Sequence, residues 1–282
     1  MLEATRALPY TAPMPARPFF KMHGLGNDFI VFDAREIPLD LTPAMVRRLC
    51  DRRTGIGCDQ LIIVDASATA TVRARFWNCD GESVAACGNG SRAVAVLVGG
   101  DASIETAGGL LVAVADGDIA SVDMGLPRFE WNAVPLAYAM DTRALPLAWE
   151  ELASPGAVSV GNPHVVFFID DPAGVDLERL GVLIEHDAVF PERVNVGIAA
   201  LPARDRMTLR VWERGAGLTR ACGTGAVAAV AVAQRRGLAD ARVTVTLPGG
   251  DLVISRRDDG HLLMAGPAVV AFTGSVDLEA YQ

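Results

Sequence analysis

The sequence predicts an α/β fold of the α+β type, built as two pseudo-symmetric domains. Each is a strongly curved, mostly antiparallel sheet wrapped around a central helix, with the candidate active site in the cleft between them. Three observations predict it. The first is a repeated opening: Ala221-Cys222-Gly223-Thr224-Gly225 leads into an Ala/Val run ended by Gly237, and Ala86-Cys87-Gly88-Asn89-Gly90 leads into a second apolar run, Ala93 to Val98. The second is register. The two cysteines are 135 positions apart (222 − 87), and the same offset maps Gly26-Asn27 onto Gly161-Asn162, Ile30-Val31-Phe32 onto Val165-Val166-Phe167, Gln60 onto Asn195, Asn78 onto Glu213 and Leu49 onto Ile184. One register held this far is an internal duplication of two related domains. The third is that many short strands surround each nearly all-apolar helix, as burial inside a curved sheet requires.

In chain order, Met1 to Arg17 carries Pro9, Pro13 and Pro15 and no continuous apolar core. Residues 1–17 therefore read as a flexible N-terminal extension and not as a signal peptide. Phe19 to Met22 and Phe29 to Phe32 are strands bracketing His23-Gly24-Leu25-Gly26-Asn27-Asp28, whose glycines permit a tight turn or close backbone contact with a ligand. Thr42-Pro43 is an N-cap followed by proline at the first helical position, which starts a helix to about Arg52. Gly55 to Asp59 turns into the apolar strand Leu61 to Val64, and Thr71 to Trp77 alternates as a further strand. After the Cys87 helix come short strands at Ser103 to Thr106, Leu110 to Ala115 and Ile119 to Met124. The second unit repeats the order: strand, turn and strand over Val158 to Asp170, a helix over Asp176 to Glu185, and strands at Val194 to Ala199 and Met207 to Trp212. The Cys222 helix follows, then strands at Val243 to Leu247, Leu252 to Ile254 and Leu262 to Ala265. The trailing segments Phe129 to Tyr138 and Val269 to Val276 are each expected to cross over and complete the other domain's sheet. The expected division is therefore 18–131 plus 268–282 for the domain carrying Cys87, and 132–267 for the domain carrying Cys222.

Composition bounds the function. With 282 residues, 51% of them hydrophobic and 21% charged, the chain can bury a sizeable core and is not globally disordered. A formal charge of −9 argues against a nucleic-acid partner, which needs clustered cations. No apolar run approaches membrane-spanning length, since even Ala226 to Ala233 stops at Gln234-Arg235-Arg236. Five cysteines, at 50, 58, 79, 87 and 222, form no CxxC pair and leave an odd count, which fits a reducing, cytoplasmic setting. Neither zinc-ligand spacing nor a His/Cys cluster is present, so no metal is expected.

A cysteine at a helix N-terminus meets free N–H groups and the positive end of the dipole, which favour thiolate and bind anions. Two such thiols on opposite sides of one carbon suit inversion of a stereocentre: one thiolate removes a proton, and the other thiol returns one to the opposite face. The amides of Gly88-Asn89 and Gly223-Thr224 are placed to hold the oxygens of an adjacent carboxylate. Each cysteine alone would read as a small buried hydrophobe, and that reading stands for Cys50, Cys58 and Cys79. Duplicated position and context set Cys87 and Cys222 apart. A pyridoxal-dependent route needs a Schiff-base lysine, and Lys21, the only lysine, has no phosphate-binding context. No cofactor is expected. Gly88-x-Gly90-x-x-Ala93 and Gly223-x-Gly225-x-x-Ala228 match a dinucleotide pattern but lack its βαβ order. His164 shares a turn with Asn162, and Glu213-Arg214 precedes Cys222 beside Gly215 and Gly217. The amides Asn27, Gln60, Asn78, Asn162 and Asn195 suggest a polar pocket for a zwitterionic small molecule.

At these residues the chain resembles diaminopimelate epimerases. The motifs are MHGLGNDF (Met22 to Phe29), RTGIGCDQ (Arg53 to Gln60), CGNG (Cys87 to Gly90), GNPH (Gly161 to His164), ERGAG (Glu213 to Gly217) and ACGTGA (Ala221 to Ala226). The resemblance implies cofactor-independent interconversion of LL- and meso-2,6-diaminopimelate in lysine biosynthesis. It implies Cys87 as proton donor and Cys222 as acceptor in the LL-to-meso direction, with His164 and Glu213 assisting. Substrate contacts would fall on Asn27, Gln60, Asn78, Gly88, Asn89, Asn162, Asn195, Glu213, Arg214, Gly223 and Thr224. Leu218 and Arg220 depart from the residue types commoner there, and Phe272 stands where some relatives carry a dimer-associated tyrosine, which bears on an implied homodimer. The alternative on the same two-domain scaffold is a proline racemase or hydroxyproline epimerase, whose substrates need fewer amides and no Arg214 clamp. A non-catalytic amino-acid-binding protein would be expected to lose one cysteine.

Overall fold

A computed structural model describes residues 16–282. Its first half runs β1 (Arg17–Gly24), β2 (Asn27–Asp33), α1 (Pro43–Cys50), β3 (Gln60–Asp65), β4 (Val72–Asn78), β5 (Ser83–Val84), α2 (Gly88–Val98), β6 (Gly100–Thr106), β7 (Gly109–Asp116) and β8 (Ile119–Asp123). A small hairpin, β9 (Ala148–Trp149) with β10 (Leu152–Ala153), separates the halves. The second half runs β11 (Gly156–Ser159), β12 (Pro163–Phe168), α3 (Leu177–Glu185), β13 (Asn195–Ala203), β14 (Arg206–Glu213) and β15 (Gly217–Thr219). It ends with α4 (Gly223–Arg235), β16 (Arg242–Leu247), β17 (Gly250–Arg256), β18 (Leu262–Pro267) and β19 (Val269–Val276). Residues 1–15, most of the segment read as an extension, lie outside the described residues.

The same pairings occur twice. β2 is parallel to β3 and β12 is parallel to β13, in registers that align Phe29 with Gln60 and His164 with Asn195. β3–β4 and β13–β14 are antiparallel, and β4–β6 and β14–β16 parallel. Each half then closes with an antiparallel meander, β6-β7-β8 and β16-β17-β18. The halves share one 17-stranded sheet, joined where β8 pairs β18. β19 leaves the second half and pairs β1 from Arg17 to His23. Its expected counterpart, Phe129 to Tyr138, is not a strand: beyond a single bridge, Arg128 to Ser159, the chain turns as the Ala133 and Val134 amides donate to Glu130 O.

Burial explains the layering. Every residue of α4 from Gly225 to Ala233 is buried, and alanine at alternate places keeps the helix thin enough for a sheet to wrap it. α1 and α3 are one-sided instead, burying Met45, Val46, Leu49 and Cys50, or Leu177, Leu180, Gly181 and Ile184. Their N-caps are Thr42 and Asp176, whose side chains accept from Met45 N and Arg179 N. Strands β2, β3, β12 and β13 are thus covered on both faces, which is why they read as unbroken apolar runs and not as alternation. Among the described residues no helix is long and apolar enough to cross a membrane.

Close approach has a testable cost. A Cβ built on Gly156 of β11 would lie 2.2 Å from Val232 Cγ1, a stiff and buried side chain of α4. Gly156→Ala is expected to destabilise the protein by about 1–3 kcal/mol through overpacking. A denaturant melt with an unmoved midpoint would rule this out.

The β1–β2 turn binds the halves together. Leu25 and Gly26 both have positive φ (57° and 84°), the two-residue turn that matches strand twist. A leucine held there costs roughly 1 kcal/mol or more, offset by its side chain, which is buried in the second half's core around α4. The second half's Gly249 leaves room for Leu25 O, which would sit 2.0 Å from a Cβ there. Asn27 is thereby fixed at the seam.

Candidate active site

Both Cys87 and Cys222 are N-caps in extended conformation (φ −140°, ψ 121° and φ −114°, ψ 105°). Each sulfur accepts from the third residue of its helix, Gly90 N or Gly225 N, at 3.3 Å. The two mouths adjoin. Asn89 Nδ2 crosses the seam to Ala221 O, the residue before Cys222, at 3.2 Å. Met264 lies against both openings, its methyl 3.0 Å from a Cβ built on Gly88 and 3.3 Å from one built on Gly223. Glycine at those two positions leaves the backbone amides uncovered.

Charge around the thiols runs against the simplest expectation. A helix N-terminus was expected to bring a thiol down toward neutrality, but burial pushes both Cys87 and Cys222 up, and the Gly90 and Gly225 amides offset this only in part. Glu213, at the end of β14, pushes both thiols further up, so one carboxylate faces the two sulfurs. Its own carboxyl is raised by burial despite Thr219 Oγ1, which donates to Oε1 at 2.6 Å. Both shifts favour the thiol over the thiolate at neutral pH.

The remaining candidates divide by half. In the second, Asn162 Nδ2 faces Thr224 Oγ1 at 3.4 Å, and Thr224 Oγ1 is 3.6 Å from Cys222 Sγ. Asn162 Oδ1 then accepts from His164 Nε2 at 2.9 Å, which leaves His164 Nδ1 without the proton. His164 is 1% exposed, and burial, aided by Arg214, lowers its pKa to about 3. The imidazole is therefore neutral at ordinary pH and hydrogen-bonded to Asn162. Asn195 donates one amide hydrogen to Pro163 O and accepts from Arg214 N at 2.9 Å, which leaves its second N–H for a ligand. Arg214 Nη1 donates to Glu192 O.

In the first half, Asn27 donates to Asp59 and accepts from Asn89 Nδ2 at 3.4 Å. Gln60 Nε2 donates to Asn78 Oδ1 at 2.9 Å, while Gln60 Oε1 is buried without a partner and is open to a donor on a ligand. Lys21 is tied to Asp28 and to Gly57 O, and Arg52 bridges Asp28 and Asp59 beneath this wall. Of the residues singled out in sequence, Asn89 meets Asn27 and Ala221, the residue before Cys222, at the seam, whereas Gln60 and Asn78 in one half and Asn195 and Arg214 in the other pair within their own halves. Cys50 and Cys58 lie apart from them, buried together with sulfurs 3.3 Å apart, whereas Cys79 is exposed and does not fit the reading of a buried hydrophobe. It sits in the turn after β4, where the chain leaves the sheet.

Sequence reasoning missed three supports. Thr219 holds Glu213. Glu185 is a buried carboxylate that accepts from Trp212 Nε1 at 2.7 Å and Gly215 N at 3.0 Å, fixing the loop after Glu213. Arg92 is wholly buried behind Asn89. A charged residue inside an otherwise apolar helix was the available signal for Arg92; Glu185 ends a helix and gave none.

The family model described as diaminopimelate epimerase matches residues 19–130 and 156–271, the two repeated halves without the β9–β10 segment. A diaminopimelate epimerase of Erythrobacter litoralis (strain HTCC2594) is 56% identical over 264 residues, covering 93% of this chain and 98% of that protein. Two solved structures share the fold at low identity. A phenazine biosynthesis protein of the PhzF family from Enterococcus faecalis has a TM-score of 0.67 at 12% identity, covering 93% of this chain and 99% of its own. A hydroxyproline epimerase from Agrobacterium vitis has a TM-score of 0.62 at 15% identity, covering 93% of each. With both halves matched, and more than half the residues shared along nearly the whole length of a relative, this chain belongs to the diaminopimelate epimerase family.

Proposed function

We propose that the chain interconverts LL- and meso-2,6-diaminopimelate, using Cys87 and Cys222 as the two bases. The observation that carries this is a pair of cysteines capping adjoining helices, joined across the seam by Asn89 Nδ2 and Ala221 O. In the LL-to-meso direction Cys222 first gives up its thiol proton to solvent as the ligand enters; as thiolate it then takes the α-proton, and the C–H bonding pair stays on carbon as a carbanion delocalised into the carboxylate. The helix-mouth amides hold those oxygens. Cys87, as thiol, then gives its proton to the opposite face and becomes thiolate. The enzyme ends with its protonation states exchanged and resets through solvent. Glu213 faces the α-ammonium of the ligand, whose arrival offsets the negative charge that keeps the thiols protonated. Asn27, Gln60, Asn78, Asn162, Asn195 and Arg214 serve the remaining polar groups.

Residues 18–131 with 268–282, and 132–267, are the two bodies between which the ligand sits. A cytoplasmic setting, lysine biosynthesis and a homodimer complete the reading. Support for diaminopimelate over proline comes from the identity to the E. litoralis relative set against 15% to the hydroxyproline epimerase. The test is incubation with LL-diaminopimelate, or with L-proline, in deuterated water. Deuterium is expected at one α-carbon of diaminopimelate and none in proline. Exchange into proline alone, or into neither, rejects the proposal.

A further inference from the structure

Arg92 has 0% exposure and is the largest fully buried side chain among the described residues. Its guanidinium is sparsely satisfied. Nη2 donates to Asn89 Oδ1 at 2.9 Å, Nη1 lies 3.5 Å from Met264 Sδ, and Nε has no partner. Among the described residues no carboxylate forms an ion pair with it. Burial lowers its pKa to about 10, so it remains a cation at neutral pH. A buried charge without a counter-charge is strongly unfavourable. Room is nonetheless kept for it: Cβ atoms built on Gly24 and Gly266 would stand 3.3 Å from Nη2 and 3.4 Å from Nε.

The fold does not require a cation there. The repeat-equivalent position in α4 is Val227 (92 + 135), which is fully buried and apolar. The difference follows its neighbour. Asn89 corresponds to Thr224 (89 + 135), whose hydroxyl rotates to suit its surroundings, whereas an amide has distinct ends that must be oriented. With Arg92 on Oδ1, Asn89 is obliged to turn Nδ2 toward Asn27 and Ala221 O across the seam. Arg92 on α2 and Glu213 on β14 act on the Cys87 thiol in opposite directions, the cation lowering it and the carboxylate raising it.

We propose that Arg92 is a positioning residue of the active site, fixing the Asn89 amide across the two helix mouths and holding positive charge one turn behind Cys87. This rests on the two-cysteine reading. The test compares Arg92→Met, Arg92→Gln and Arg92→Lys in turnover of LL-diaminopimelate. In a Cys222→Ala background it also follows the pH dependence of iodoacetamide alkylation of Cys87, measured by mass on its own peptide. Arg92→Met is expected to keep or raise the thermal midpoint, since it removes an unpaired buried charge. It should lower kcat/KM at least about tenfold and move the Cys87 alkylation midpoint up by about one pH unit. Arg92→Lys is expected to restore the midpoint but not kcat/KM, because an ammonium lacks the planar fork that holds Asn89 beside Met264. In Arg92→Met, or in Arg92→Gln if the methionine variant does not fold, either kcat/KM within twofold of wild type or an unmoved Cys87 midpoint overturns the proposal. Failure of all three to fold makes Arg92 purely structural and overturns it too. Full turnover in Cys87→Ala would instead sink the two-cysteine reading, a result the Arg92 variants do not influence.

Discussion

Cys87→Ala and Cys222→Ala are each expected to lower epimerisation of diaminopimelate by at least about 10³-fold, within the range a positioned acid or base contributes. The loss is expected to be equal in both directions, because the ratio of forward to reverse kcat/KM is fixed by the equilibrium between substrate and product. The fold is expected to survive. Each sulfur accepts one amide hydrogen bond at its helix mouth, from Gly90 N or Gly225 N, and Cys222 Sγ also lies 3.6 Å from Thr224 Oγ1, so its removal costs about 1–2 kcal/mol of capping. The double variant is expected to be hardly worse than either single one, since the thiols act as a unit and one without the other cannot invert carbon. Kinetics that multiplied across the two substitutions would mean independent roles. Wild-type turnover in either single variant would end the two-base mechanism.

Much of this was legible before any coordinates, for physical reasons. A helix buried on all sides must be apolar all round, and a strand covered on both faces must be an unbroken apolar run; Ala226 to Ala233 and Leu61 to Val64 wrote those constraints into composition. Repetition did the rest, because a shared register at Asn27 and Asn162, or Gln60 and Asn195, carries information no single asparagine has. What stayed hidden depended on contacts without periodicity. Phe129 to Tyr138 resembles β19 only in its place after the last meander strand, and turns at Glu130 decide its path. Leu25, and not a glycine alone, takes the left-handed conformation, because its side chain is buried in the opposite half. The ionisation of the thiols is not legible in the sequence, since helix position is written there but depth is not. Desolvation at Cys222 outweighs its amide donor. Glu185 and Thr219 act through Trp212, Gly215 and Glu213, and only the folded chain brings them together.

Glu213→Gln separates two roles that a carboxylate beside a thiol can play. If Glu213 served to activate Cys222, its neutral replacement would make the sulfur harder to ionise. Electrostatics argue the reverse: the negative charge of the carboxylate raises the Cys222 thiol, so Glu213→Gln is expected to lower the alkylation midpoint of Cys222 and make it more reactive in the free enzyme. Turnover should nevertheless fall, by roughly 10²-fold in kcat/KM, equivalent to about 2.7 kcal/mol of lost charge-assisted contact with the substrate ammonium. Much of that loss is expected in KM. Stability should move the other way. The Glu213 carboxyl is raised by burial, so its contribution is full below the ordinary carboxyl range and is lost as pH rises through the folded value. Glutamine carries no charge to bury and can still accept from Thr219, so the variant's thermal midpoint at pH 8 is expected to equal or exceed wild type. A Cys222 that became harder to alkylate would make Glu213 an activator of the thiol and not a ligand for the cation. Unchanged kcat/KM would remove it from the site's chemistry altogether.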